Sequence, residues 1–186
     1  MNMLNLPNFL TSLRILLIPV FILFFTVPSP ARPLLSALIF LTASLTDFFD
    51  GYIARRQAQI TKLGKLLDPV ADKLLISSAL ILLVSVGRVP AWIVIVIIAR
   101  ELTVTGLRAV ASTEGIVLAS EPLGKIKFFF QICAVLLLLL DENLWSINLH
   151  FWGNRLLELA TVFAVLSGGQ YCVEFWRQIN IKGMKW

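Results

Sequence analysis

Apolar residues run along this chain in six long blocks, each closed by turn formers or charge. The first goes from Phe9 to about Val27 and is broken by Pro28, Pro30 and Pro33. The second covers Leu34–Phe49 and turns polar at its end, through Thr42, Ser44, Thr46 and Asp47. A charged stretch from Asp50 to Asp72 leads to the third block, Leu74–Val86, which Gly87-Arg88-Val89-Pro90 ends. The fourth runs from Ala91 to about Val110 with Arg100-Glu101 inside it, and the fifth is Ile126–Leu140, followed by Asp141-Glu142-Asn143. The sixth is about Leu156–Phe175, with a basic tail of Arg177, Lys182 and Lys185. The blocks are too long for strands and lack their alternation, so the pattern predicts helices only. Each block approaches the ~20 residues that a helix needs to cross hydrocarbon. There is no internal repeat. The expectation is an all-α integral membrane protein with one domain, 1–186, and six transmembrane helices.

Composition sharpens this picture. Of the 186 residues 58% are apolar and only 15% charged, whereas a soluble domain carries about 25% charged residues. A water-soluble chain of this kind would expose large apolar patches and aggregate. Intrinsic disorder is excluded as well, because it requires low hydrophobicity. A cleaved signal peptide is a poor fit to the first block. Residues 1–9 carry no Lys or Arg, and Arg14 falls inside the block, whereas secretory signals place basic residues before the apolar stretch. The block is read as a retained helix.

The net charge of +5 would suggest nucleic-acid binding in a soluble protein. Here it is read as loops facing anionic lipid heads, or an anionic substrate, with no nucleic acid as partner. Basic residues sort by side. Arg55, Arg56, Lys62, Lys65 and Lys73 fall between the second and third blocks, and Arg108, Lys125 and Lys127, at the facing ends of the fourth and fifth, are assigned to the loop that joins those helices. The opposite side has Arg32, Arg88 and Arg155. Both termini and the charged loops are therefore expected on the cytoplasmic side. Cys133 and Cys172 lie in apolar runs without a CxxC partner and read as small buried hydrophobes. The single His150 falls in an expected loop, so a His-based metal site is excluded.

The chemistry lies in the acidic residues. Asp47 and Asp50 are three apart, and Asp68 and Asp72 four apart, so each pair shares a helical face. One loop joins the pairs, so both sit at one depth. Clustered carboxylates near lipid are costly and repel each other, and a divalent cation with a preference for hard oxygen ligands, Mg²⁺ or Mn²⁺, would compensate them. Ordinary capping is the plainer explanation, with Asp68 as N-cap and Pro69 at the first helical position. It could account for one pair, but it accounts poorly for two pairs flanking Gly51, Ala54 and Gly64.

The string Asp47-x2-Asp50-Gly51-x2-Ala54-Arg55-x8-Gly64-x3-Asp68-x3-Asp72 fixes eight residues across 26 positions. It resembles the signature of the CDP-alcohol phosphatidyltransferase family at every fixed position and gap. The resemblance implies a homodimeric six-helix enzyme of the membrane. Such an enzyme transfers a phosphatidyl or similar group from a CDP-linked donor to an alcohol and releases CMP. By position, it implies Asp47, Asp50, Asp68 and Asp72 as ligands of a two-metal centre. Gly51, Ala54, Arg55 and Gly64 become the wall around the cytidine diphosphate, and Asp72 also the general base. Independent chemistry agrees with those roles. A diphosphate needs cations to neutralise it and its leaving group, and an alcohol nucleophile needs a base.

Three further segments, Asn5–Arg14, Ala99–Arg108 and Gly124-Lys125-Ile126-Lys127, are similar to family members that join CDP-diacylglycerol to sn-glycerol 3-phosphate. Phe128 stands where those members carry Thr. This likeness implies a multi-pass protein of the bacterial cytoplasmic membrane, with its active site facing the cytoplasm and Asn8 on the donor side. Arg100, Arg108, Lys125 and Lys127 then read as the cradle of a phosphorylated acceptor, since a dianion needs one and cations inside membrane segments point to function. Plainer readings stand beside these. Lys125 and Lys127 would serve as positive-inside anchors, Arg100 as half of an ion pair with Glu101 on a neighbouring helix, Thr11 as an N-cap, and Arg14 as a snorkelling side chain. Other acceptors within the family, namely serine, an inositol phosphate or phosphatidylglycerol, stay open. So do a prenyltransferase with an Asp-rich Mg²⁺ site and a small ion carrier.

Overall fold

A computed structural model describes the backbone of residues 6–29, 31–57, 62–116, 118, 122–140, 143, 144 and 147–182. Side chains are described throughout these segments except at 6–10, 47–57, 62–66, 68, 122, 143, 144, 147, 181 and 182. Six helices appear among the described residues: α1 Leu6–Thr26, α2 Arg32–Gln57, α3 Lys62–Ser85, α4 Ala91–Thr113, α5 Pro122–Leu140 and α6 Leu149–Lys182.

The helices outrun the apolar blocks at their charged ends. α2 continues through Asp50, Arg55 and Arg56, and α3 begins at Lys62, so most of the expected loop between them is helical. Pro69 lies inside α3, and Asp68 is therefore no N-cap. Thr11 likewise lies inside α1, five residues beyond its start at Leu6. Arg108 belongs to α4, and Lys125 and Lys127 to α5, instead of the loop between them. His150 falls in the first turn of α6 and not in a loop. The physical reason is common to the charged ends of α2 to α5. Charged Lys, Arg and Glu are good helix formers, so a helix does not stop where its apolar face does.

Two helix ends are set by glycine. Gly87 has φ +74. The Gly87 N–H donates to Val84 O at 2.9 Å and the Arg88 N–H to Leu83 O at 2.9 Å, the paired bonds that close a helix around a left-handed residue. Gly115, at φ +64, closes α4 in the same way, with Ile116 N–H donating to Ala111 O at 2.8 Å. An all-helical expectation misses one small feature. Asn143–Leu144 and Ile147–Asn148 form a two-residue antiparallel ladder before α6.

Helix α1 packs on α2 and α3, α5 on α6 and α2, and α4 on α3 and α6. The core between them holds Phe21, Phe40, Leu80, Leu83, Ile93, Ile97, Leu138 and Leu157. Gly153 lets α6 approach α5 closely, since a Cβ there would lie 2.7 Å from Leu138 Cγ. Apolar side chains also cover much of the outer surface, among them Leu16, Ile95, Leu102, Phe129, Val165 and Val173. Among the described residues, two helices are long and apolar enough to cross a membrane, over Leu123–Leu140 and Leu149–Asn180, and two shorter apolar segments are Thr11–Thr26 and Arg32–Thr46. Cys133 and Cys172 are free thiols, each half-buried.

Candidate active site

Helices α3, α4, α5 and α6 surround a cavity of about 610 Å³. Among the described residues, five basic side chains line it: Lys73, Arg100, Arg108, Lys125 and Lys127. Two carboxylates, Asp72 and Glu101, line it as well. The excess of positive charge makes it a receptor for an anion.

Asp72 is fixed from α1. The Arg14 guanidinium, fully buried, donates from Nη1 to Asp72 Oδ1 at 2.5 Å. A snorkelling side chain would reach water, whereas Arg14 turns inward to a carboxylate 58 residues further along the chain. A buried arginine requires such a partner, because an uncompensated ion in a low-dielectric interior costs several kcal/mol.

The basic residues are tied to one another through Glu101. Lys127, almost fully buried, donates from Nζ to Glu101 Oε1, and Arg100 Nη1 donates to the same oxygen at 3.0 Å. Arg100 does pair with Glu101, but as its neighbour within α4 and not across helices, and the pair is one arm of a three-residue cluster whose cross-helix partner is Lys127. Arg100 Nη2 also donates to Ser167 Oγ at 2.8 Å on α6. Gly168 lets α6 come this close, since a Cβ there would lie 3.1 Å from Arg100 Cγ. Tyr171, buried on α6, receives a hydrogen bond from Arg108 Nη2, and the Arg108 guanidinium lies 4.8 Å from its ring centre. Lys73 donates from Nζ to Thr105 Oγ1. These contacts hold Lys73, Arg100, Arg108 and Lys127 in place before any ligand arrives, which lowers the ordering cost of binding.

Of the residues that the sequence singles out, Asp72, Arg100, Arg108, Lys125 and Lys127 come together in this one cavity. Asp47, Asp50, Gly51, Ala54 and Arg55 lie on helical backbone in α2, Gly64 and Asp68 in α3, and Asn8 in α1. Their side chains fall outside the described ones. Helical backbone across 47–50 and 68–72 keeps each Asp pair one turn apart. Among the described residues no group of three His, Cys, Asp or Glu converges. The donor set of the motif is carboxylate oxygen throughout, chemistry that suits Mg²⁺ or Mn²⁺.

Sequence reasoning passed over Tyr171, Thr105, Gln131 and Ser167, and treated Lys73 as one of several loop cations. Tyr171, Gln131 and Ser167 are single polar residues within apolar helices, which carry no pattern of their own. Glu101 carried a signal, an acid inside an apolar block, but its pairing with Lys127 spans 26 residues.

Comparison with known proteins adds an independent line. The family model described as CDP-alcohol phosphatidyltransferase matches residues 4–167. A Bacillus subtilis (strain 168) protein named CDP-diacylglycerol--glycerol-3-phosphate 3-phosphatidyltransferase is 43% identical over 190 residues, covering 96% of this chain and 98% of its own. Proteins of the same name from Rickettsia bellii (strain RML369-C) and Salmonella paratyphi A (strain ATCC 9150 / SARB42) are 41% and 38% identical. Each covers 90% of this chain, and 93% and 92% of its own length respectively.

Proposed function

The chain belongs to the CDP-alcohol phosphatidyltransferase family, and from that premise we propose that it transfers the phosphatidyl group of CDP-diacylglycerol to sn-glycerol 3-phosphate, giving phosphatidylglycerophosphate and CMP. The observation that carries the acceptor is the cavity. Its five basic side chains stand beside the Asp72 carboxylate, so a phosphate held by the cations would leave a hydroxyl of the same small molecule facing the base. A net-neutral acceptor such as serine would have no use for that charge. An inositol phosphate would, and it is the names of the relatives in three bacterial genera that favour glycerol 3-phosphate over it.

In this reading a hydroxyl oxygen of glycerol 3-phosphate attacks the phosphorus that carries the diacylglycerol. The phosphoric anhydride bond breaks and CMP departs with the bonding pair. Asp72 takes the hydroxyl proton, held in orientation by Arg14. Arg100, Arg108, Lys125 and Lys127 hold the acceptor phosphate. Asn8, Gly51, Ala54, Arg55 and Gly64 surround the cytidine diphosphate. Asp47, Asp50, Asp68 and Asp72 would hold two Mg²⁺ or Mn²⁺ ions, whose contribution is to neutralise the diphosphate.

The protein is read as a six-span homodimer of the bacterial cytoplasmic membrane, with both termini and the site on the cytoplasmic side. Support comes from the two long apolar helices, the two shorter apolar segments and the apolar outer surface. The concentration of basic residues near the cavity agrees with the orientation.

The test is CMP release by the purified protein in nanodiscs containing CDP-diacylglycerol. Glycerol 3-phosphate should support release, while glycerol, serine and phosphatidylglycerol should not. Excess chelator should abolish the activity, and Mg²⁺ or Mn²⁺ should restore it. Equal release with serine or phosphatidylglycerol would overturn the acceptor assignment, and full activity in chelator the metal assignment.

A further inference from the structure

Gln131 is the polar residue of the cavity that the chemistry so far does not use. It lies on α5 one helical turn beyond Lys127, about 6 Å along the axis, and its side chain is only 1% exposed. It lines the cavity, yet its amide nitrogen Nε2 has no hydrogen-bond partner among the described residues. A buried amide N–H without an acceptor is costly, and native structures rarely leave one in that state. The cavity itself offers little to satisfy it. The basic side chains only donate. The Glu101 carboxylate serves Arg100 and Lys127, and Asp72 serves Arg14. Ile76, Ile97 and Phe128 offer nothing polar, and the hydroxyls of Ser77, Thr105 and Tyr171, which also line the cavity, make no hydrogen bond to the amide nitrogen. A molecule in the cavity that presents an acceptor to the amide would satisfy it.

We infer that Gln131 is a specificity-determining residue that donates from Nε2 to the middle hydroxyl of the glycerol phosphate acceptor. The inference rests on the function proposed above. In that acceptor the phosphate is matched by charge-assisted bonds from Arg and Lys. The terminal hydroxyl, primary and unhindered, is the nucleophile and belongs at Asp72. The middle hydroxyl is neutral and takes no part in bond making, and a neutral amide donor suits it better than another cation would. A site built to hydrogen-bond a hydroxyl rejects the analogue that lacks it, because its own polar group is then left buried and unpaired. Gln131 would in this way separate a diol phosphate from a simple hydroxyalkyl phosphate, a distinction that the cations cannot make.

The experiment compares kcat/KM for glycerol 3-phosphate and for 3-hydroxypropyl phosphate, which keeps the terminal hydroxyl and the phosphate but lacks the middle hydroxyl. The wild-type protein should prefer glycerol 3-phosphate about five- to hundredfold. In Gln131→Leu the ratio should fall to within about threefold of one, and Gln131→Asn, which keeps the amide on a shorter arm, should lie between. The ratio is measured within one preparation, so it does not depend on how much of a variant folds. If Gln131→Leu yields no active protein, the wild-type ratio and Gln131→Asn still decide. A wild-type protein that uses both acceptors equally overturns the inference, and so does a variant in which both fall in the same proportion. Release of CMP with neither phosphate acceptor, but with another alcohol, overturns the proposed function along with it. Use of glycerol 3-phosphate without discrimination overturns the Gln131 assignment alone.

Discussion

Arg14 shows what a single residue reveals and what it conceals. A cation inside an apolar block is conspicuous in sequence. Whether it rises to water or turns inward depends on a carboxylate 58 positions away, and no local pattern carries that information. Asp72 was legible because it belongs to a spaced motif, while Tyr171 and Gln131 were not, since one polar residue in an apolar helix has many bland explanations. Two predictions belong at this scale. Asp72→Asn preserves shape but cannot accept the hydroxyl proton, so single-turnover rate should fall about 10²- to 10⁴-fold while affinity for CDP-diacylglycerol stays near normal. Asp50→Asn should impair donor binding too. If Asp72→Asn loses donor affinity as badly as Asp50→Asn, Asp72 acts chiefly as a metal ligand. The second concerns the phosphate cradle. Arg108→Ala or Lys125→Ala should raise the KM for glycerol 3-phosphate about ten- to hundredfold, with a smaller effect on CDP-diacylglycerol. Equal effects on both substrates, measured by initial rates, would make these residues general anchors.

At the scale of elements, the apolar blocks located all six helices but not their ends. The sequence cues favoured a start at Asp68-Pro69 and a cap at Thr11, and both lie inside helices instead. Capping signals are local, and packing against α1 and α2 can carry a helix past them. The consequence is functional, because extended helices bring Arg108, Lys125 and Asp72 to the cavity on rigid backbone. Packing also makes opposite predictions for different glycines. Glycine to alanine inside a helix ordinarily stabilises by up to about 1 kcal/mol. At Gly106, with nothing within 4 Å of an added Cβ, that gain should appear as an equal or higher Tm in detergent. At Gly153 the new Cβ would meet Leu138 at 2.7 Å and the Ala134 carbonyl at 3.3 Å, and Leu138 is fully buried. Overpacking of this kind costs about 1–3 kcal/mol, so Gly153→Ala should lower Tm. A rise at both positions would mean that α5 and α6 do not pack as closely as this.

For the molecule as a whole, apolar side chains fill the core and also cover much of the outer surface. Five cations line a cavity between the helices, while Leu102, Phe129 and Val173 are each more than 60% exposed on the outside. Composition made the apolar surface legible before any fold was known. It could not say which apolar residues face out, because helices apolar all round carry no directional stripe. A bilayer and water make different demands on the outer face, and one substitution separates them. Val165 is 55% exposed and lies near the middle of the Leu149–Asn180 segment. In water, replacing an exposed valine by arginine changes stability by within about 0.5 kcal/mol. At the centre of a spanning helix the same arginine costs about 2.5–3.5 kcal/mol on the insertion scale. Val165→Arg should therefore sharply reduce the carbonate-resistant, detergent-extractable protein recovered from membranes. Phe151→Arg, at an exposed position near the start of α6, should be tolerated, because its charge can reach the interface. Normal recovery of Val165→Arg, or release of the wild-type protein by carbonate alone, would mean that α6 does not span the bilayer.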